Sequence, residues 1–327
     1  MRKIFIPFAN AGQIGGPTTF MANLRTYLDR HDFLYATHPW RANGIFFPIA
    51  YRLSAIKWIK LIGGKVIQRL DGIYYPSQHG DEYLVMNKPI LDIYQQHVDV
   101  VIFQSDYSRR QCFAMMGEKK ESEYSIIYNG ADKNIFYPAD GVENIKGKIR
   151  FAMAGSFRKK AMIEPVVLAL DELKKEFDFE LVVMGPIINP EIENFFQRDY
   201  VRLAGSKGSK EVAEILRSSH IFIHSQLNDN CPNAVIEALS CGLPVVGFDG
   251  GAMSELLFFG KDLLAYVSND IFQKYEDYDY RKLKDKLRLA VENYDQFKKA
   301  ALENWRQYDF EECGRKYVEV FNRVIGK

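Results

Sequence analysis

At 327 residues the chain is longer than a single hydrophobic core usually serves, so two domains are expected. With 47% hydrophobic and 26% charged residues, its composition excludes a disordered or collagen-like protein. The net charge of +1 excludes a bulk nucleic-acid binder, although residues 1–70 hold ten Lys or Arg against two acids.

Such a local basic field suits phosphate-bearing ligands or an anionic membrane surface, and equally a solvated face. The opening Met1-Arg2-Lys3 and the apolar run Ile4–Phe8 are too short for a signal peptide and lack a cleavage site. No stretch approaches the ~18–20 apolar residues of a transmembrane helix. Cys112, Cys231, Cys241 and Cys313 are widely spaced with no CxxC pair, so neither a disulfide framework nor a zinc site is suggested. The expectation is a cytoplasmic protein, peripheral at the inner face of the membrane at most.

Short apolar runs alternate with helical patterns, the signature of parallel α/β sheets. In the first half the runs predict strands near Lys3–Phe8, Lys65–Arg69, Val100–Gln104 and Ser125–Tyr128. A helix from about Thr18 carries Phe20, Met21, Leu24, Tyr27 and Leu28 as one apolar stripe. The mixed stretch Trp40–Lys65 interleaves aromatics with Arg41, Arg52, Lys57 and Lys60. It reads either as a membrane-docking surface or as a core-packing helix with snorkelling bases. Turn signals between Asn129 and Lys148 mark a boundary. The second half begins afresh with Ile149–Ala154, followed by Glu180–Met184, Ile221–His224, Pro244–Gly247 and Leu264–Val267, and helical patterns occupy Tyr280–Val324.

The expected fold class is therefore α/β, two Rossmann-like domains with parallel sheets facing a cleft, closed by C-terminal helices. The expected domains are 1–135, 136–305 and a terminal helix 306–327 that packs back on the first. Ligands of such sheets bind at the carboxyl ends of the strands, but that geometry serves several chemistries, so particular residues must decide.

The richest segment runs from Asn228 to Gly247. It follows a buried-looking strand and opens a helix near Asn233, with Ala234 and Val235 in its first turn. A helix start presents unpaired N–H groups and the positive dipole end to a phosphate. Asn230 or Asn233 is the expected cap, and Glu237, a turn inside, can accept from the paired hydroxyls of a ribose. Taken alone, the same residues also describe a capped helix with Glu237 on its solvated face. Gly155-Ser-Phe-Arg-Lys-Lys160 offers Arg158 and Lys160 as fixed cations for a departing diphosphate, or an exposed basic turn. Gly12, Gly15 and Gly16 precede a helix without the GxGxxG spacing, so a dinucleotide fingerprint is not supported, although Gly15-Gly16 lets backbone approach a ligand. Asp71-Gly72 ends a first-half strand, where a carboxylate can orient an acceptor hydroxyl or simply form a turn. His220 and His224 flank three strand residues, about 13 Å apart, too far to share one metal ion, and are read as structural.

Asp229 and Glu237, with Ala-Leu-Ser-Cys-Gly-Leu-Pro-Val-Val-Gly-Phe-Asp-Gly-Gly-Ala-Met-Ser-Glu255 after them, resemble the paired-acid motif of family-4 retaining glycosyltransferases of the GT-B fold. Ile126–Pro138 is similar to that family's interdomain segment, Phe103–Ser108 to the turn before it, and Phe151–Lys160 to its first donor-domain strand and basic loop. The resemblance implies a metal-independent, cofactor-free hexosyl transfer from a nucleoside diphosphate sugar to an acceptor hydroxyl, with retention, in glycan, lipopolysaccharide or glycolipid synthesis. It assigns Asp229 to the donor sugar, Glu237 to the ribose, Arg158 and Lys160 to the pyrophosphate, and Gly15-Gly16 to the neighbourhood of the reacting sugar. The expected partners are that nucleotide sugar and a saccharide, lipid-linked or small-molecule acceptor. The sequence departs from the pattern in carrying Asp rather than Glu as the first acid, a side chain one methylene shorter. A nucleotide-sugar 2-epimerase of the same fold and a non-catalytic nucleotide-sugar binder are the alternatives.

Overall fold

The computed structural model describes residues 3–8, 16–70, 72–139, 145, 147–267 and 279–326. The chain divides into two units, one running to Asn129 and resuming at Phe310, the other lying between Gly130 and Asp309.

The first unit is built on a six-stranded parallel sheet in the order β2-β1-β3-β4-β5-β6. Its strands are β1 (Ile4–Phe5), β2 (Tyr35–Ala36), β3 (Gly44–Pro48), β4 (Lys65–Leu70), β5 (Val100–Phe103) and β6 (Tyr124–Ile126). β3 and β4 pair from Gly44 with Lys65 to Pro48 with Arg69, and Ile45, Phe46, Phe47, Val66 and Ile67 between them are fully buried. Strands covered on both faces need such unbroken apolar runs. Helix α1 (Gly16–Arg30) buries all five residues of its predicted stripe. It packs on the helix Phe310–Ile325, with Phe20 and Tyr317 ring centroids 5.0 Å apart. Gly314 is required there, because a Cβ would meet the Tyr27 ring at 2.5 Å.

A buried arginine ties the strand ends of this unit together. Arg69 donates to Tyr317 Oη (2.9 Å) and to Asn129 Oδ1 (2.7 Å), and lies 3.6 Å over the Phe20 ring. Asn129 Nδ2 in turn donates to Gln104 Oε1 at 3.0 Å. Ser105, just after β5, caps the next helix by accepting from Ser108 N at 3.0 Å.

The second unit holds another six-stranded parallel sheet, in the order β12-β11-β10-β7-β8-β9. Its strands are β7 (Ile149–Ala154), β8 (Phe179–Met184), β9 (Val201–Gly205), β10 (Ile221–His224), β11 (Val245–Asp249) and β12 (Leu264–Tyr266). Chain order reverses between β7 and β10, so the crevice outside their carboxyl ends is the topological switch point where ligands bind in such sheets. Helices Glu164–Leu173 and Tyr280–Glu292 bury Leu170, Leu173, Leu283 and Leu287 against one face.

Three strands escape the sequence reading. β2 has two residues, too few for a period, and β9 is an edge strand whose Arg202, Leu203 and Gly205 are exposed. β3 is hidden inside Trp40–Lys65, which is no single helix: Phe46 and Phe47 belong to the sheet, and only α2 (Leu53–Leu61) is helical in its second half. No helix among the described residues is long and apolar enough to cross a membrane.

Candidate functional site

The loops after β7, β8, β10 and β11 come together in the second unit. After β7, Gly155 N donates to Met184 O (3.1 Å), and Gly185, at φ +112°, abuts Gly155 O so closely that no Cβ fits. The Phe157 side chain is buried and its N–H donates to Pro186 O at 3.0 Å, fixing the turn that carries Arg158 and Lys160. After β10, Ser225 Oγ donates to Met162 O and clips that loop to the β7 turn.

Asp229 lies in the β10 loop, a quarter exposed. Burial pushes its carboxyl up to about 6, although the Asn230 and Cys231 N–H groups donate to it and pull the other way. Its backbone is gripped from β11. Ala252 N donates to Asp229 O at 2.9 Å, and a Cβ on Gly251 (φ +67°) would fall 2.7 Å from Asp229 N. Gly251→Ala should therefore destabilise the fold by about 1–3 kcal/mol, through left-handed strain and displacement of Asp229. A denaturant midpoint unchanged from wild type would remove Gly251 from this role.

The helix Asn233–Ser240 begins on Pro232 rather than on a capping asparagine. The sequence reading placed Asn230 or Asn233 at the cap, but the cap position is held by Pro232, whose φ of −66° sets the entry to the helix and whose side chain has no acceptor to offer. Val235 and Ile236 N–H groups turn back to Pro232 O (3.1 Å each), whereas those of Asn233 and Ala234 precede the first intrahelical bond. Glu237 stands one turn further on, partly buried, and its carboxylate makes no hydrogen bond among the described residues. Burial alone raises its carboxyl to about 7. The helix ends as its sequence suggests, with Gly242 at φ +70°.

Arg158 is exposed and makes no ion pair among the described residues. Lys160 is exposed too and pairs with Glu164 at 2.8 Å, one turn on. Such a surface pair contributes roughly 0.3–0.5 kcal/mol, little enough for a phosphate to displace. Gly16 opens α1. Gly15 and Asp71 lie outside the described residues.

The structure adds His224 to the neighbourhood of Asp229. Read as a structural strand residue, it stands at the carboxyl end of β10, with Nε2 3.8 Å from Asp229 Oδ2, too long for a hydrogen bond. The ring is only 7% exposed, and burial lowers its pKa to about 4, so it is neutral at neutral pH. A histidine at a buried strand's end, five residues before an acid, was the available signal. His220 differs: its Nδ1 accepts from Arg150 N at 2.9 Å, a wholly structural duty. Two raised carboxyls and a depressed imidazole on adjoining elements mark a working site more often than a stabilising one.

Two Rossmann-like units with parallel six-stranded sheets give the two-domain α/β fold of GT-B glycosyltransferases. HepE of Anabaena, solved in complex with UDP-glucose, has this fold: it superposes with a TM-score of 0.72 at 14% identity, covering 99% of this chain and 100% of that one. Residues 148–276, the heart of the second unit, match the family model described as Glycosyl transferases group 1. Among curated relatives, a probable sucrose-phosphate synthase of Thermosipho melanesiensis is 24% identical over 67% of this chain and 52% of its own length. The N-acetyl-alpha-D-glucosaminyl L-malate synthase of Bacillus anthracis is 24% identical over 43% of this chain and 40% of its own. The matched regions thus span about half or less of these curated relatives.

Proposed function

We propose that the protein is a glycosyltransferase that binds a nucleoside diphosphate sugar on its second unit and transfers the sugar to an acceptor hydroxyl. The observation that carries this reading is the pair of half-buried carboxyls, Asp229 and Glu237, flanking a helix start at the topological switch point, with the exposed Arg158 on the neighbouring loop. Glu237 accepts from the ribose hydroxyls, Asp229 from hydroxyls of the sugar, and Arg158, Lys160 and the helix N-terminus hold the diphosphate.

As the bond from the anomeric carbon to the phosphate oxygen breaks, the diphosphate gains negative charge, and these fixed positive groups stabilise it without a resident metal. The acceptor oxygen bonds to the anomeric carbon, and its proton passes to the departing phosphate oxygen on the same face, which retains the configuration. Retention and hexosyl transfer rest on the resemblance of the acidic pair. Gly15, Gly16 and Asp71 are assigned to the reacting sugar and acceptor on the same ground. The product belongs to glycan, lipopolysaccharide or glycolipid synthesis. The complex of HepE with UDP-glucose supports a uridine nucleotide as the first donor to test.

The test is thermal unfolding with UDP, GDP and ADP in the absence of metal. A ligand at a hundredfold its Kd adds about 2.7 kcal/mol, and one nucleotide is expected to do so. Failure of all three would sink the reading.

A further inference from the structure

We propose that the outer face of α2, with the turn Pro39–Arg41 beside it, is a docking surface for an anionic phospholipid membrane. Among the described residues, sixteen large apolar side chains are exposed, and five of them fall between Trp40 and Ile62. Scattered exposed apolar residues need no explanation, but a cluster on one element does.

Helix geometry explains the clustering. Ile56 and Ile59 point into the core, fully buried. The opposite side carries Leu53, Lys57 and Leu61 at i, i+4 and i+8, with Ser54, Trp58 and Ile62 in the adjoining row. Leu61 is 79% exposed and Trp58 44%. The turn Pro39–Arg41 contacts α2 and adds Trp40, 60% exposed and stacked on His38 with ring centroids 4.6 Å apart.

Charge selects the occupant. No Asp or Glu occurs from residue 33 to residue 70. Asp99, from the segment before β5, neutralises part of the basic set by pairing with Lys60 (3.0 Å) and Lys65 (3.3 Å). Arg41, Arg52 and Lys57 are exposed and make no ion pair among the described residues. Tryptophan and leucine flanked by uncompensated cations are what a helix lying in an anionic headgroup layer presents. A second copy of this surface would set cation against cation. The proposal uses no residue of the donor site, so it stands or falls apart from the transferase reading.

The full chain, without nucleotide, is sedimented with vesicles of phosphatidylcholine containing phosphatidylglycerol, and with vesicles of phosphatidylcholine alone. Binding is expected to the anionic vesicles only, to vanish at 1 M salt through screening, and to blue-shift tryptophan emission. Lys57→Glu changes the surface by two charges and should weaken binding about thirtyfold, at about 1 kcal/mol per charge. Leu61→Ser, at a side chain already 79% exposed, should sharply weaken vesicle binding and the emission shift while leaving the melting temperature unaltered. The proposal is overturned by absence of binding to anionic vesicles. Binding that survives both variants overturns it too, as does concentration-dependent self-association that the serine variant abolishes without any vesicle binding.

Discussion

Glu237→Gln is expected to give a protein that melts higher than wild type at pH 8 and binds nucleotide more weakly. Burial holds the Glu237 carboxyl at about 7, and no partner compensates its charge among the described residues. The folded state therefore binds this proton more tightly than the unfolded chain does. The resulting stabilisation is complete below the unfolded value of 4.5 and is lost as pH rises through about 7. Glutamine removes that dependence, so the gap between variant and wild type should open from little near pH 4 to its full size above pH 8. The same substitution deprives the ribose hydroxyls of a charged acceptor, and hydrogen bonds to charged groups contribute roughly 1.5–3 kcal/mol each. Nucleotide affinity should fall about ten- to hundredfold, and wild-type affinity should itself weaken as pH drops below 7. Melting curves against pH, with and without nucleotide, read all of this. A variant that melts lower at pH 8 would show that Glu237 is a stabilising residue and not a ligand-binding one.

Asp229→Asn should behave in the opposite way: nucleotide binding kept, turnover lost. Asparagine retains an oxygen for the Asn230 and Cys231 N–H groups, so the loop should keep its form. What it loses is the charge that orients the sugar, and the removal of one oriented polar group from a reacting centre costs on the order of 10²–10³ in kcat. The nucleotide-induced shift, which the proposed function assigns to Glu237, Arg158 and the helix start, should remain. Because burial places Asp229 at about 6, the acid limb of the wild-type kcat profile should rise through that pH and flatten in the variant. An unchanged kcat would remove Asp229 from the chemistry.

Much of this was legible in the sequence, for physical reasons that differ by element. β10 and β11 are buried along nearly their whole length, so the apolar runs Ile221–Ile223 and Val245–Phe248 stand out. β3 is buried to the same degree but sits among exposed Trp40, Trp58 and Leu61, where composition averages out the signal. In the candidate site, Asp229 and Glu237 stand out in the sequence because their spacing is local. Gly251 and His224 do not, because their contact with Asp229 depends on a loop folding back, and no period in the chain records it. The cap was misassigned because asparagine preference is a statistical guide, and a proline already fixed the chain's entry to the helix.

The helix Phe310–Ile325 also sets an order of events during synthesis. Its Phe310, Cys313, Tyr317 and Phe321 are part of the same core as Ile4, Leu24 and Phe46 of the first unit. A ribosome delivers the chain from its N-terminus, and domains generally fold as they emerge. Here the half made first must wait, its core open along α1, until the whole of the second unit has been translated. The second unit, whose described residues lie between Gly130 and Asp309, is the one free to finish early.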